Sequence, residues 1–154
     1  MAIPRTSIGK PLASVTAVIE RGRLAYFAKA IGESDPIYSD IEAAQADGHP
    51  DLPVPPTFLF GLKLDVPDPF GWIEELGVDM HFLLHGKQAF TYRSMLYAGD
   101  TVTLTPTIID VYEKKGGSLE FIVCATEVTR ADGVAVATLE ETLVVRHPGL
   151  EIKP

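Results

Sequence analysis

Residues 27–40 read Phe27-Ala28-Lys29-Ala30-Ile31-Gly32-Glu33-Ser34-Asp35-Pro36-Ile37-Tyr38-Ser39-Asp40. Leu24, Phe27, Ala28 and Ile31 fall at i, i+3, i+4 and i+7, the spacing of one apolar helical stripe. Gly32 is placed to end that helix, because glycine accepts the left-handed conformation common just beyond a helix C-terminus. Pro36 then fixes a turn. Ser39-Asp40-Ile41-Glu42 reads as a capping box, in which Ser39 accepts from the backbone and Glu42 reaches back. It opens a short helix through Ala43, Ala44 and Ala46 that stops at Gly48. The stretch therefore predicts helix, acidic turn, helix, with Glu33, Asp35 and Tyr38 on the connecting turn.

Outward from this stretch the period changes. Val15 to Ile19 reads as a first strand. Val54-Pro55-Pro56-Thr57 has two prolines, which favour extended backbone and remove donors from any ladder. Asp68 is placed to cap a third helix with Pro69 at its first position, burying Phe70, Ile73 and Leu76 and ending near Gly77. From Gln88 onward strands follow one another. Phe90 and Tyr92 alternate with Thr91 and Arg93, and Ala98-Gly99-Asp100 turns into a strand from Thr101 to Tyr112. There Val102, Leu104 and Ile108 share a face, whereas Ile109 and Val111 switch parity, which predicts a bulge near Pro106 or Thr107. Gly116-Gly117 and Asp132-Gly133 read as hairpin turns around strands Leu119–Thr129 and Val134–Arg146. Phe121 to Ala125 is apolar on both faces, as expected of a central strand covered by a helix on one side and by a partner subunit on the other. Helices in the first half and an antiparallel sheet in the second make an α+β domain.

The bulk numbers narrow the function classes. With 154 residues, 46% hydrophobic and 22% charged, residues 1–154 are read as a single globular domain with a sizeable core. Thirteen Lys and Arg against 21 Asp and Glu leave a net charge of −8. No broad basic surface is available, so neither nucleic acid nor an anionic membrane is expected as a partner. A polyanionic group such as coenzyme A needs a local basic spot, for which Lys87 and Arg93 are the candidates. Cys124 is the one cysteine, so no intrachain disulfide forms and a reducing compartment is natural. The N-terminal stretch lacks the apolar run of a signal peptide, and a cytoplasmic location is expected. Ser94, Ser118 and Thr57 lie in no Gly-x-Ser-x-Gly context, and no glycine-rich phosphate loop is present. Four scattered histidines and one cysteine have no metal-ligand spacing, so no metal and no separate cofactor are expected.

The segment from Phe27 to Asp40 resembles the signature of MaoC-like, (R)-specific enoyl-thioester hydratases. There a helix ends in Gly-Asp-x-Asn-Pro, followed by an aliphatic residue, His, any residue and often Asp. Val54-Pro55-Pro56-Thr57-Phe58 is similar to the Ala-Pro-Pro-Thr-Phe element of that family's N-terminal-type (FAS1-like) dehydratase domain. Leu84-His85-Gly86-Lys87-Gln88-Ala89-Phe90, followed by Ala98-Gly99-Asp100, is similar to the same subgroup's His-Gly-x-Gln-x-Phe and Gly-Asp pattern. The resemblance touches most of residues 12–146. It implies a hot-dog fold, a long central helix wrapped by a curled antiparallel sheet, in a chain that pairs with a second subunit.

It also implies a chemistry. Hydrating a trans-2-enoyl thioester, or dehydrating a 3-hydroxyacyl thioester, needs a base for water, a proton source for the α-carbon and donors that polarise the carbonyl. In the family an Asp and a His act together on the water. Here the Asp position falls on Glu33, one methylene longer, and the His position on Tyr38. A phenol with a pKa of about 10 is a poor base near neutrality, where imidazole is well matched. Asp35, Pro56, His85, Gly86, Lys87 and Arg93 are the residues the resemblance and the charge pattern assign to substrate binding. Coenzyme A or an acyl carrier enters as part of the substrate.

Each of these residues has a plainer reading. Glu33 and Asp35 are equally read as solvated turn acids, Tyr38 as a packing aromatic with a wet hydroxyl, and His85 as a backbone hydrogen-bonding residue at the entrance to a strand. His49 and His81 have no motif around them, His147 falls in a tail expected to fray, and Cys124 reads as inert core. Three functions stay in view. The first is a hydratase or dehydratase acting beside a His-bearing MaoC-like partner. The second is a non-catalytic acyl-thioester-binding subunit, in a homodimer or heterodimer. The third is a hot-dog thioesterase using a carboxylate such as Glu74 or Glu75.

Overall fold

A computed structural model describes residues 3–147; the ends of the expected 1–154 domain, residues 1–2 and 148–154, lie outside the described residues. The strands are β1 (Val15–Val18), β2 (Leu83–Tyr92), β3 (Thr101–Lys114), β4 (Leu119–Arg130) and β5 (Ala135–Arg146). The helices are α1 (Arg21–Ala30), α2 (Ile41–Ala46), α3 (Phe58–Leu62) and α4 (Gly71–Glu75). All strand pairings are antiparallel, in the order β1-β3-β4-β5-β2. The sheet is open, and the α+β class expected from the sequence is the one found.

The sheet curls because its long strands carry irregularities that add twist. One register shift lies between Ile108 and Asp110, so Ile109 is the extra residue, slightly beyond the predicted Pro106 or Thr107. It explains the parity switch: Ile108 and Val111 are both buried, whereas Ile109 is exposed. A second shift lies between His85 and Lys87 and a third between Val128 and Thr129.

The helices cover the concave face in short pieces. The long central helix implied by the resemblance is absent among the described residues. Its place is taken by two five-residue helices, α3 and α4, separated by a segment with Pro67 and Pro69, which cannot continue a helical ladder. Asp68 does accept from the amide of Gly71, at 2.9 Å, but Pro69 stays outside the helix. Only Ile73 of the predicted trio is fully buried, and Phe70 is exposed. In α1, Leu24 and Ala28 are buried while Ile31, at the stripe's end, is exposed. The predicted Ser39 cap moves by one residue. Asp40 caps α2 and accepts from the amides of Glu42 and Ala43, because Ser39 is still closing the preceding 3-10 turn Pro36–Tyr38. A carboxylate also suits the positive end of the helix better than a hydroxyl.

Two apolar clusters share the concave face. One gathers Leu24, Leu59, Leu62, Leu104, Val128 and Leu139; the other gathers Ile3, Ile73, Ile108, Ile122, Leu143 and Val145. On β5 the buried Glu141 falls between Leu139 and Leu143, at the seam of the two. The outer face differs from expectation: along β4, Leu119, Phe121, Val123 and Ala125 are only half-buried, so within this chain the central strand is covered on one side. Tyr112 and Phe121 stack there at 4.7 Å between centroids. The C-terminal end of β5 is tied in, against the expected frayed tail: His147 Nε2 lies 2.5 Å from the buried Glu120 carboxylate, which also accepts the Ile3 amide. No described helix is long and apolar enough to cross a membrane.

Candidate functional site

The turn after α1 presents the residues that the resemblance singles out. Glu33 Oε1 accepts the amides of Ser34 at 2.8 Å and Asp35 at 2.9 Å. The carboxylate is therefore spent on its own turn, on an exposed loop. Asp35 caps the following 3-10 turn by accepting from Ile37 at 3.1 Å. Tyr38 ends that turn half-buried, and its phenol is pushed above its ordinary pKa, first by burial and then by the charges of Glu33 and Asp35. The acids that could have helped a base make this phenol a weaker acid and keep it neutral.

Tyr38 lines a cavity of about 430 Å³ together with Val54, Pro56, Tyr92, Arg93 and Met95. The double-proline stretch contributes Val54 and Pro56 to this cavity. It forms no strand, as expected, but where extended backbone was predicted it closes a turn, the Phe58 amide donating to the Pro55 carbonyl at 3.2 Å. Thr57, at the end of that stretch, adopts φ 72, a left-handed conformation rare for a β-branched residue. Its amide donates to the Tyr92 hydroxyl at 3.0 Å. Arg93 joins this cavity but is already engaged, donating to Glu127 at 3.1 Å and to Thr138 at 2.6 Å.

The remaining predicted residues lie on β2, apart from Tyr38. His85 Nε2 lies 3.1 Å from the Lys87 carbonyl. Because a carbonyl only accepts, Nε2 is the protonated nitrogen. Gly86 is the unpaired residue of the β2 bulge; a Cβ there would meet Val144 Cγ2 at 2.6 Å and the Thr142 carbonyl at 3.2 Å. Lys87 faces Glu140 at 3.3 Å. The two cations proposed as a basic spot thus each have a carboxylate partner.

His85 belongs to a second cavity of about 270 Å³, bounded by α3, α4 and the β2–β5 edge and lined also by Phe60, Leu64, Trp72, Ile73 and Leu143. Here the sequence reading missed two residues. Lys63 and Glu141 both line the cavity and form an ion pair with side chains only 12% and 9% exposed. The Lys63 ammonium also lies 4.8 Å from the centroid of the Phe60 ring. The signal was present in the alternation of β5, which puts Glu141 on the same face as Leu139 and Leu143. Cys124, across the sheet register from Glu141, has its thiol pushed up to about 12, mainly by burial and further by Glu141, and is inert core as expected. Glu74 and Glu75 are exposed, Glu75 pairs with Lys10 at 2.9 Å, and neither lines either cavity. His49 and His81 pair with Asp47 and Asp79. No group of metal-holding side chains occurs among the described residues.

The fold and these motifs define a hot-dog protein of the hydratase and dehydratase class. The chain belongs to the FAS1-like dehydratase domain family, whose model matches residues 6–139. Curated relatives include a UPF0336 protein of Streptomyces coelicolor, 36% identical over 95% of this chain and 97% of its own length. Another, from Leifsonia xyli, is 37% identical over 84% and 85%. Among solved structures, the C-terminally truncated HadBC complex of Mycobacterium tuberculosis, a 3R-hydroxyacyl-ACP dehydratase, superposes with a TM-score of 0.75 at 23% identity, covering 89% of this chain and 96% of that one. The ChsH1-ChsH2 complex of the same organism gives 0.75 at 22% identity, covering 96% and 94%. The (R)-hydratase from A. caviae involved in PHA biosynthesis gives 0.65 at 17% identity, covering 88% and 94%. These likenesses establish the hot-dog fold, with MaoC-like dehydratases as its structural neighbours.

Proposed function

We propose that this chain is the dyad-lacking, acyl-thioester-binding subunit of a hydratase or dehydratase, and that a His-bearing MaoC-like partner supplies the general base. The reaction is hydration of a trans-2-enoyl thioester or its reverse, dehydration of a 3-hydroxyacyl thioester, with coenzyme A or an acyl carrier as the thiol. One observation carries the reading: the Glu33 carboxylate is tied to the amides of Ser34 and Asp35 while the position of the base is a neutral phenol. Two neighbours of the same fold, HadBC and ChsH1-ChsH2, are complexes, which supports a heteromeric assembly. The edge position of β2 leaves one side of that strand without a ladder partner among the described residues, and such an edge favours pairing with another subunit. A cytoplasmic setting agrees with a lone, buried cysteine.

The test follows loss of the conjugated enoyl-thioester absorbance with a short trans-2-enoyl-CoA, with free thiol measured in parallel. The chain alone is expected to be silent, and activity is expected once a His-bearing partner is added. Hydration by the lone chain that is abolished by Glu33→Gln would instead make it a self-sufficient enzyme. A chain that binds thioester but never supports turnover with a partner would be a binding subunit only. Release of free thiol would make it a thioesterase.

A further inference from the structure

We propose that the cavity beneath Trp72 takes the far end of an acyl chain bearing a hydroxyl group, which Lys63 and Glu141 recognise. The inference rests on the acyl-thioester reading above and names the substrate class that reading leaves open.

Stability alone does not call for the Lys63–Glu141 pair. Removing two charges from water is costly, and replacing such a pair with apolar side chains of similar volume is commonly neutral or stabilising. The surroundings here are mainly apolar: Phe60, Leu64, Ile73 and Leu143 line the same cavity, with Asp68 and His85 as its other polar lining residues. An ammonium has three donors. Beyond the Glu141 carboxylate, Lys63 Nζ rests over the face of Phe60. Across the β2–β5 register from Glu141 stands Gln88, whose buried Oε1 is the one buried side-chain polar atom without a hydrogen-bond partner among the described residues. One buried acceptor at the level of Glu141 is thus left unsatisfied, although Gln88 itself is not among the residues that line the cavity.

Charge and size decide what fits. A second carboxylate would crowd Glu141 around one ammonium, whereas a hydroxyl accepts from Lys63 and donates to a carboxylate at once. A group of water size takes up roughly 30 Å³, so about 270 Å³ accommodates a linear chain on the order of eight such groups. Phe70 and Leu84 line the same cavity and are exposed, which gives the chain an apolar way in.

Trp72, the one tryptophan of the chain, lines this cavity, so its fluorescence reads occupancy directly. The full chain is titrated with octanoyl-CoA, 8-hydroxyoctanoyl-CoA, 1-octanol and 1,8-octanediol. The hydroxyacyl thioester is expected to bind at least about tenfold more tightly than octanoyl-CoA, because a site with polar groups rejects an analogue that cannot pair them. The double variant K63M/E141L removes both charges together, so that it folds, and is expected to abolish or reverse the preference; thermal unfolding confirms its fold. Equal or tighter binding of octanoyl-CoA by the unaltered chain overturns the inference and leaves the thioester reading standing. Saturable response to 1-octanol and the diol that K63M/E141L abolishes, with no response to either thioester, overturns the thioester reading and retains a hydroxyl-accepting cavity. No saturable change with any of the four overturns the inference.

Discussion

The Thr57 amide donates to the Tyr92 hydroxyl at 3.0 Å, tying the entrance of α3 to the end of β2. Thr57 holds φ 72, a conformation that costs a β-branched residue of order 1–2 kcal/mol and persists only where its surroundings impose it. The bond is one such restraint, and it shapes the wall where Tyr38, Pro56 and Arg93 meet.

Tyr92→Phe removes the acceptor and keeps the ring, which stacks on Phe90 at 6.0 Å. A loss of about 1 kcal/mol is expected in urea unfolding. Thr57→Gly combined with Tyr92→Phe should recover part of it, since glycine takes the left-handed conformation without penalty. Additive losses in the double variant would show that the hydroxyl does not restrain Thr57.

Gly86 and Val144 meet where β2 bulges against β5. A methyl group at Gly86 would sit 2.6 Å from Val144 Cγ2, so Gly86→Ala is expected to cost about 1–3 kcal/mol. Val144→Ala frees that space. A double-mutant cycle should show favourable coupling between the two substitutions, and a coupling near zero would place the importance of Gly86 elsewhere.

Tyr38 gives a pH signature. Its native pKa is raised, so near and above pH 10 the folded protein holds this proton more firmly than the unfolded chain does. The resulting stability is fully present below the unfolded phenol pKa and is lost as pH rises through the native value. Tyr38→Phe should therefore flatten the fall in urea midpoint above pH 10. An identical fall in both proteins would mean that Tyr38 is not shifted.

The pair E33D/Y38H tests whether only the dyad is missing. A shorter carboxylate stem and an imidazole near its ordinary pKa restore the side chains that the family chemistry uses. If the surrounding cavity binds the thioester correctly, enoyl-CoA hydration should rise by at least about a hundredfold over the unaltered chain. Thioester binding with no gain in rate would mean that Glu33 and Tyr38 stand outside the reacting geometry.

The local sequence determined a good deal. Alternation of apolar residues located the strands of the second half, although β2 begins at Leu83, ahead of the expected Gln88, and Gly116-Gly117 and Asp132-Gly133 marked the two turns between the last three. The i, i+3, i+4 stripe located α1, and the Pro55-Pro56 pair marked a stretch that joins no strand, though not the turn it closes. These features depend on backbone conformations and periodicities that neighbouring residues set among themselves. Element ends were less legible. Asp40 caps α2 in place of Ser39, and the β3 bulge falls on Ile109, because both positions depend on how the chain enters or leaves a turn.

Tertiary structure alone decided what the side chains do. Lys87 and Arg93 read as free cations until β5 and β4 brought Glu140 and Glu127 alongside them. Lys63 and Glu141 lie 78 positions apart (141 − 63), and only the packing of α3 on the concave face brings them together. Sequence spacing governs what a residue's neighbours along the chain allow; long-range contacts, burial and charge compensation arise only when distant segments share one core.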